Sequence, residues 1–360
     1  MIYLLLFAGV FMGWSLGTND AANAFGTAVG TGIVKYRTAI IIISVLVIAG
    51  AFLVGDGNIG KVNDLAISNK VSASEAEVLA AEAADAAAGT DAAMKDLRLK
   101  SALKAFIVFV CAGVTVFGMS YLKFPVSANQ SITGAIVGWG LFHANYGDPA
   151  VRAVTLPKLG QFASTWLLNP LGAGIISFLL VWFVTKFLED KLMKIKNYKK
   201  FIYIGYLVAG AFASFSIGMN SSANVTALYY DFTGKGANLL TNAQLTATIG
   251  GIAIALGVLT YSKPVMMTVG SAIADINELS GFLCIIAMAL TIVIMGSWMG
   301  IPVSTSQAVV GAVVGAGLVK GRKAVHFGVF KNIAIAWVAS PTVAGLLSWL
   351  VALATQGFFA

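Results

Sequence analysis

Charged residues are scarce in this 360-residue chain, at 11% of the total, whereas an ordinary soluble domain carries about 25%. Hydrophobic residues make up 58% of the sequence, and the mean hydropathy is +0.87. No soluble core could bury that much apolar surface. A bilayer crossing needs roughly 20 apolar residues, and apolar runs of about that length recur at 2–16, 38–54, 105–122, 162–187, 201–217, 245–261, 282–299, 308–319 and 333–354. The composition predicts an all-α polytopic membrane protein.

Cysteine and histidine are also rare, with two of each in the whole chain. Cys111 and Cys284 lie inside apolar runs, where a small buried side chain is the usual interpretation, rather than a disulfide or a metal ligand. The sequence contains no metal triad, no nucleophile–base pair and no Walker-type phosphate loop. We therefore expect neither an enzyme nor a bound cofactor.

The net charge of +8 comes largely from short connectors between the apolar runs, which is the positive-inside pattern and not a nucleic-acid-binding surface. These connectors contain Lys35, Arg37, residues 186–200, Lys263 and residues 320–331. We expect them in the cytoplasm, with both termini outside an inner or plasma membrane and with lipid as the surrounding partner. The basic residues between 95 and 104 disagree, although nearby acids weaken their topological effect. The first run lacks a basic flank and a cleavage site, so it is interpreted as a retained span and not as a signal peptide.

Two motifs occur twice in the chain and indicate an internal repeat. The segment PVSANQSITGAIVGWG at 125–140 aligns without a gap with PVSTSQAVVGAVVGAG at 302–317. Earlier in each half, GTNDAANAFG at 17–26 matches GMNSSANVTA at 218–227. We call these the PVS motifs and the N-motifs. The predicted repeats are residues 1–185 and 201–360, joined by a basic cytoplasmic connector at 186–200, with an Ala-rich helical insertion at about 55–100 outside the bilayer.

The order of the motifs predicts how each half crosses the membrane. If each PVS motif is the tip of a re-entrant helical hairpin, each half crosses three times and the second repeat is inverted relative to the first. A helix from residue 2 to residue 34 would be about 50 Å long, which is too long for one crossing, so each N-motif is expected to break its helix. Interrupted segments at matching positions of inverted repeats are typical of a transport site at the bilayer midplane.

The N-motifs are the predicted cation site. Asp20 is the one acid of fifteen that lies well inside an apolar run, and an intramembrane acid indicates function. The alternative is that Asp20 only caps a half-helix after the break. Broken helices free backbone carbonyls, which together with side-chain oxygens offer the ligands that alkali cations need. The predicted sodium ligands are Asn19, Asp20, Asn23, Asn220, Ser221 and Asn224.

The PVS motifs are the predicted phosphate site, because each begins a half-helix whose N-terminal amides and dipole favour an anion. Close packing through Gly134, Gly138, Gly311 and Gly315 is the alternative, but it explains only the glycines. It leaves the polar residues after the two prolines without a role. The predicted phosphate-binding residues are Ser127, Ala128, Asn129, Gln130, Ser304, Thr305, Ser306 and Gln307. Lys123 is the one cation beside a tip, and its role stays open.

The segment GTNDAANAFGTAVGTG, which begins at Gly17, and the two PVS motifs resemble the signatures of the inorganic phosphate transporter (PiT) family. The resemblance covers nearly the whole chain apart from the insertion. It implies a secondary carrier that takes up orthophosphate with sodium ions or protons. The chain departs from the family at three positions, since Ser221 stands where the second N-motif often has Asp, and Gln130 and Gln307 stand where the PVS motifs often have His.

The coupling ion is predicted to be sodium, because histidine, the side chain best suited to proton relay near neutral pH, is missing from the motifs. An unpaired anion in a low-dielectric site is very costly. With one negative charge on Asp20 and one on dihydrogen phosphate, about two sodium ions would neutralise the site. The sequence therefore predicts a sodium–phosphate symporter that works by alternating access. Proton coupling, sulfate transport and an ion channel stay open as alternative functions. Whether the chain forms a homo-oligomer stays open as well.

Overall fold

A computed structural model of the chain describes residues 2–55, 91–146, 149–230, 243–298 and 303–355. The helices in chain order are α1 (Ile2–Gly30), α2 (Tyr36–Val54), α3 (Asp91–Tyr121), α4 (Ala128–Tyr146), α5 (Pro149–Phe187), α6 (Glu189–Met193), α7 (Tyr198–Tyr230), α8 (Ala243–Tyr261), α9 (Lys263–Met267), α10 (Glu278–Thr291), α11 (Thr305–Val319) and α12 (Phe327–Ala354). The π-helical segments Thr268–Ala272 and Ile292–Trp298 follow α9 and α10, and a 3₁₀ turn at Arg322–Ala324 precedes α12.

Seven helical segments among the described residues are long and apolar enough to cross a membrane. Large apolar side chains cover their outer faces, as with Leu167, which is 69% exposed, and Val338, which is 68% exposed. Such faces suit lipid, because a helix satisfies its backbone hydrogen bonds internally and can present apolar side chains to hydrocarbon. The predicted all-α, multi-pass membrane fold is confirmed.

The second PVS motif lies at the tip of a helical hairpin formed by α10 and α11. Asn277, just before α10, and Lys320, just after α11, line one cavity together with Gly30 at the end of α1. The hairpin therefore enters and leaves at the same end of the molecule, which we call the Gly30 end. At 15 residues, α11 is about 22 Å long, which is shorter than the hydrocarbon core of about 30 Å.

The first PVS motif lies at the tip of the hairpin formed by α3 and α4, which enters from the opposite end. Helix α3 runs parallel to α1, since Gly113 packs against Phe11 and Ser120 lies beside Thr18. Helix α4 runs parallel to α12, since Gly134 and Gly138 pack against the backbone of Pro341 and Gly345. Because α12 begins beside the base of the second hairpin, where the His326 amide donates to the Ile273 carbonyl, α4 leads away from the Gly30 end.

The prediction that each N-motif breaks its helix is wrong. Helix α1 continues through the first N-motif for 29 residues, and α7 continues through the second for 33 residues. At 1.5 Å per residue, α1 is about 44 Å long, so it crosses the hydrocarbon core and extends into the interfacial regions. The polar side chains of the first motif need no break in the helix, because they find partners on the hairpin tips. Asp20 therefore lies in the middle of α1 and caps no half-helix.

Matching helices of the two halves run in opposite directions. Gly13 packs against Val225 and Phe25 packs against Gly210, so residue numbers rise along α1 as they fall along α7. Helices α2 and α8 are antiparallel in the same way, because Gly55 lies against Ala247 and the Ser44 hydroxyl lies 3.5 Å from the Ala255 carbonyl. Together with hairpins that enter from opposite ends, these directions match those expected of inverted repeats.

Two contacts between the halves occur twice, with the roles of the two halves exchanged. A Cβ on Gly17 would meet the Ile254 carbonyl of α8, and a Cβ on the matching Gly218 would meet the Val47 carbonyl of α2. In the same way, α11 of the second half packs on α5 of the first half, and α4 of the first half packs on α12 of the second half. There the backbones meet at Gly311 with Pro170 and at Gly134 with Pro341. Helices α1, α2, α7 and α8 form a central bundle, and each hairpin packs between this bundle and an outer helix.

The predicted insertion at 55–100 falls mostly on residues 56–90, which lie outside the described residues. Its final part is the beginning of α3, which starts at Asp91 and continues into the first hairpin arm. Helix α6 lies in the basic connector between α5 and α7. The proposed repeat boundaries and the side of the membrane on which each connector lies stay predictions.

Candidate functional site

The first N-motif holds the tip of the first hairpin. The Asn19 amide nitrogen donates to the Ser120 hydroxyl at 2.9 Å and to the Phe124 carbonyl at 3.0 Å, and its Oδ1 accepts from the Val126 amide at 3.0 Å. Thr18 donates to the same Ser120 hydroxyl at 2.9 Å. Asn19 thus uses its donors and its acceptor on the tip, so the structure places it as a support for the PVS segment.

The same motif also contacts the tip of the second hairpin, one helical turn further along α1. The Ser306 hydroxyl donates to Asp20 Oδ1 at 3.2 Å, and Asn23 Nδ2 lies 3.3 Å from the same oxygen. Asn23 Nδ2 also donates to the hydroxyls of Thr305 at 2.9 Å and Ser306 at 3.0 Å. One segment of α1 therefore joins both predicted binding segments, which lie far apart in sequence.

Ser127 and Ser304 have equivalent positions at the beginnings of α4 and α11. The Gln130 amide lies 3.4 Å from the Ser127 Oγ, and the Gln307 amide lies 3.4 Å from the Ser304 Oγ. Both serines therefore act as helix N-caps. A capping hydroxyl accepts one of these bonds and keeps its own hydrogen, which can still be donated to an anion.

Gln130 and Gln307 stand out because their side-chain amides are buried without hydrogen-bond partners. Both residues are 1% exposed, and neither the amide nitrogen nor the amide oxygen of either residue has a partner. Asn23 Oδ1 is buried and unpartnered as well. A buried polar group left unpaired costs about 1–3 kcal/mol, so these five atoms are candidates to bind a polar ligand.

Asp20 supplies the negative charge of the site. It is 6% exposed, and it is the only acidic side chain classed as buried in the described part of the chain. Its neighbours Asn23, Thr305 and Ser306 add oxygen atoms of the kind that hard cations bind. The residues present therefore fit an alkali cation beside the second hairpin tip.

The second N-motif is placed differently from the first. Asn220 is exposed and Ser221 is half-buried, whereas Asn19, Asp20 and Asn23 are all buried. The side chain of Asn224 lies outside the described residues. Of the remaining predicted residues, Ala128 is buried and Asn129 is exposed on the first turn of α4. The Lys123 side chain is exposed as well, and its backbone adopts a left-handed conformation with φ of 67° at the turn.

Sequence reasoning missed four residues that hold the tips. Thr18 and Ser120 support the first tip beside Asn19. Asn169 of α5 donates to the Ser304 carbonyl at 2.6 Å, and Trp337 of α12 donates to the Pro125 carbonyl at 2.9 Å. Ser120, Asn169 and Trp337 lie outside the N-motifs and the PVS motifs, and only the tertiary contacts reveal them.

The sequence profile of the Phosphate transporter family matches residues 16–348, which include both N-motifs and both PVS motifs. The chain belongs to this family. A candidate phosphate permease of the archaeon Pyrococcus abyssi is 28% identical, covering 97% of this chain and 96% of the relative. One of Methanocaldococcus jannaschii is 27% identical, covering 97% and 96%.

Two further comparisons extend beyond the archaea and to a solved structure. An inorganic phosphate transporter of Arabidopsis thaliana chloroplasts is 23% identical, covering 97% of this chain and 72% of that protein. A solved sodium-dependent phosphate transporter has the same fold, with a TM-score of 0.73 at 23% identity, covering 99% of this chain and 98% of that one. Membership of the PiT-like family and the prediction of a membrane transporter rather than an enzyme are confirmed.

Proposed function

We propose that this protein imports inorganic phosphate together with sodium ions and alternates the access of one site between the two sides of the membrane. The observation that carries the proposal is the meeting of both hairpin tips at a single turn of α1, where Asp20 is buried. The similarity to a sodium-dependent phosphate transporter supports the choice of ion. Family membership supports the choice of substrate.

The phosphate would lie between the two tips, within reach of Gln130 and Gln307. Each side-chain amide can donate two hydrogen bonds and accept two, and all of these groups are unpartnered within the described structure. The amides at the beginnings of α4 and α11 add favourable helix dipoles. The amide oxygens can also accept a hydrogen bond from the P–OH group that phosphate carries near neutral pH and that sulfate lacks, which favours phosphate.

Sodium would lie on the Asp20 side of the site, where the carboxylate, Asn23 Oδ1 and the hydroxyls of Thr305 and Ser306 supply oxygen ligands. Lys123, the lysine beside the first tip, has an exposed side chain. We therefore do not expect it to neutralise the phosphate. Since an isolated charge is costly in low dielectric, the cations would have to balance both Asp20 and the anion. About two sodium ions per dihydrogen phosphate achieve this.

Uptake of labelled phosphate into proteoliposomes tests the proposal, with sodium and proton gradients imposed separately. A sodium gradient should drive accumulation at a fixed pH on both sides, and labelled sulfate should neither accumulate nor compete. Accumulation that follows a proton gradient without sodium would replace sodium with protons as the coupling ion. Equal accumulation of sulfate would contradict the assignment of the substrate.

A further inference from the structure

Each hairpin tip is held by a helix that belongs to the other half of the chain. The tip of the second hairpin is bonded by Asn169, which lies on α5 in the first half, through the 2.6 Å contact from Nδ2 to the Ser304 carbonyl. The tip of the first hairpin is bonded by Trp337, which lies on α12 in the second half, through the 2.9 Å contact from Nε1 to the Pro125 carbonyl. Both donors are buried.

The two contacts lie beside matching prolines of the outer helices. Asn169 immediately precedes Pro170, and Trp337 lies one helical turn before Pro341. The two prolines contact Gly311 and Gly134, which occupy the same position in the two PVS motifs. Because a Cβ on either glycine would meet a proline carbonyl, the hairpin arm and the outer helix touch backbone to backbone next to each tip.

Backbone contact of this kind leaves little freedom for an arm to slide along its outer helix. The contact continues for another turn in both halves, since Gly315 meets the Gly174 backbone and Gly138 meets the Gly345 backbone. Interiors packed this closely transmit displacement instead of absorbing it. A tip that moves must therefore move with the helix against which its arm is packed.

We propose that Asn169 and Trp337 are positioning residues, which fix each hairpin tip to an outer helix of the opposite half so that α5 with the second hairpin, and α12 with the first, move as units. The amide geometry of the tips then depends on these two side chains, although neither lies in a motif. The expected effect of these residues on phosphate binding rests on the function proposed above. The coupling between a tip and its outer helix does not depend on that function.

Hydrogen exchange of the purified, phosphate-free protein, followed by mass spectrometry, tests the coupling directly. The reporters are the amides of Gln130 and Ser131 in the first tip and those of Gln307 and Ala308 in the second, which are bonded to the capping serines. Asn169→Leu keeps the branched shape and the number of side-chain heavy atoms and removes the donor to the Ser304 carbonyl. It should speed exchange at Gln307 and Ala308 by about 2- to 10-fold, the worth of one hydrogen bond.

The reciprocal variant makes the test specific to each tip. Trp337→Phe keeps an aromatic ring and removes the donor to the Pro125 carbonyl, so exchange should rise at Gln130 and Ser131 and stay unchanged at the second tip. Thr185→Val on α5, whose hydroxyl bonds only within its own helix, and Trp349→Phe on α12, which packs on Phe142, are the controls. Asn169→Ala repeats the first variant without an added apolar group.

Exchange that rises at both tips in either variant, or at neither, would overturn the proposed coupling. The apparent affinity for phosphate, measured on the same proteins, separates this inference from the site itself. Weaker phosphate binding at an unchanged thermal unfolding temperature supports a positioning role. Faster exchange at the correct tip with unchanged phosphate affinity upholds the coupling and contradicts the phosphate site proposed between the tips.

Discussion

The side chains of Gln130 and Gln307 can bind a ligand but lower the stability of the ligand-free protein. Their amides are buried and unpartnered, a condition that costs stability unless something polar arrives. Gln307→Leu and Gln130→Leu should therefore leave the thermal unfolding temperature unchanged or raised. The same variants should weaken phosphate binding by roughly 10- to 100-fold each, the worth of a hydrogen bond to a charged group.

Binding and unfolding should be measured on the same preparations, and Gln244→Leu is the matched control. Gln244 is a glutamine whose amide nitrogen donates to the Phe52 carbonyl, on a half-exposed surface of α8 outside the motifs. Phosphate affinity that survives in both tip variants would contradict a site between the tips.

Asp20 supplies the negative charge that the proposed sodium ions neutralise. Asp20→Asn keeps the shape and one oxygen, so the hydrogen bond from Ser306 can persist. Because α1 is continuous through this position, no helix cap is lost. Sodium-driven phosphate uptake should nevertheless collapse, and phosphate binding should depend less steeply on sodium, since only the charge of the anion still requires a cation. Both are measured in proteoliposomes over a series of sodium concentrations.

The control for Asp20→Asn is Asp190→Asn, which removes an exposed acid from α6. Uptake by this variant should equal that of the unchanged protein. If Asp20→Asn transports phosphate with the same sodium dependence, the carboxylate is not a cation ligand.

The residues of the site were predictable from the sequence to different degrees. Asp20 and the two glutamines could be selected because polar side chains in apolar surroundings are costly, and the structure shows them buried. The roles of Asn19 and Asn169 could not, because each depends on a partner more than a hundred residues away. The placement of the second N-motif could not be predicted either, since its similarity to the first does not indicate that Asn220 is exposed.

At the scale of the helices, a single methyl group at the arm contacts should disturb packing. Gly311→Ala would place a Cβ against the Pro170 carbonyl, and overpacking of this kind costs typically 1–3 kcal/mol. We expect a lower unfolding temperature in detergent. Gly118→Ala in α3 is the control, because a Cβ there has no neighbour within 4 Å, and alanine favours a helix over glycine by about 1 kcal/mol.

Equal unfolding temperatures for the two glycine variants would show that the close approach of α5 and α11 does not limit stability. The comparison is clean because both substitutions add the same methyl group within an α-helix. They differ in the surroundings of the added carbon atom.

Helix type and approximate position were predictable at this scale, because apolar runs of bilayer length leave few alternatives. The two predicted hairpins also correspond to α3 with α4 and to α10 with α11. The expected break in α1 failed for a physical reason. Length and a cluster of polar residues suggested an interruption. However, Thr18, Asn19 and the amide nitrogen of Asn23 bond to neighbouring elements while the helix backbone keeps its own bonds.

At the scale of the whole molecule, topology is open to a direct test by cysteine labelling. In a background with Cys111 and Cys284 replaced by alanine, Ser74→Cys should react with an impermeant maleimide in intact cells. Lys194→Cys in the basic connector should react only after permeabilisation. This follows from three crossings per half and from the positive-inside rule. Reaction of both from the same side would contradict the odd number of crossings.

The exchanged contacts between the halves have a consequence for ancestry and for protein engineering. Gly17 meets α8 as Gly218 meets α2, and Gly134 meets α12 as Gly311 meets α5. At these four glycines each half makes on the other the contact that it receives in return, which is the property of an isologous interface between two identical subunits. These contacts are arranged as between the subunits of a twofold homodimer, with the connector around α6 as the covalent link. A polypeptide consisting of one such half could assemble with a second copy of itself, inserted into the bilayer in the opposite orientation.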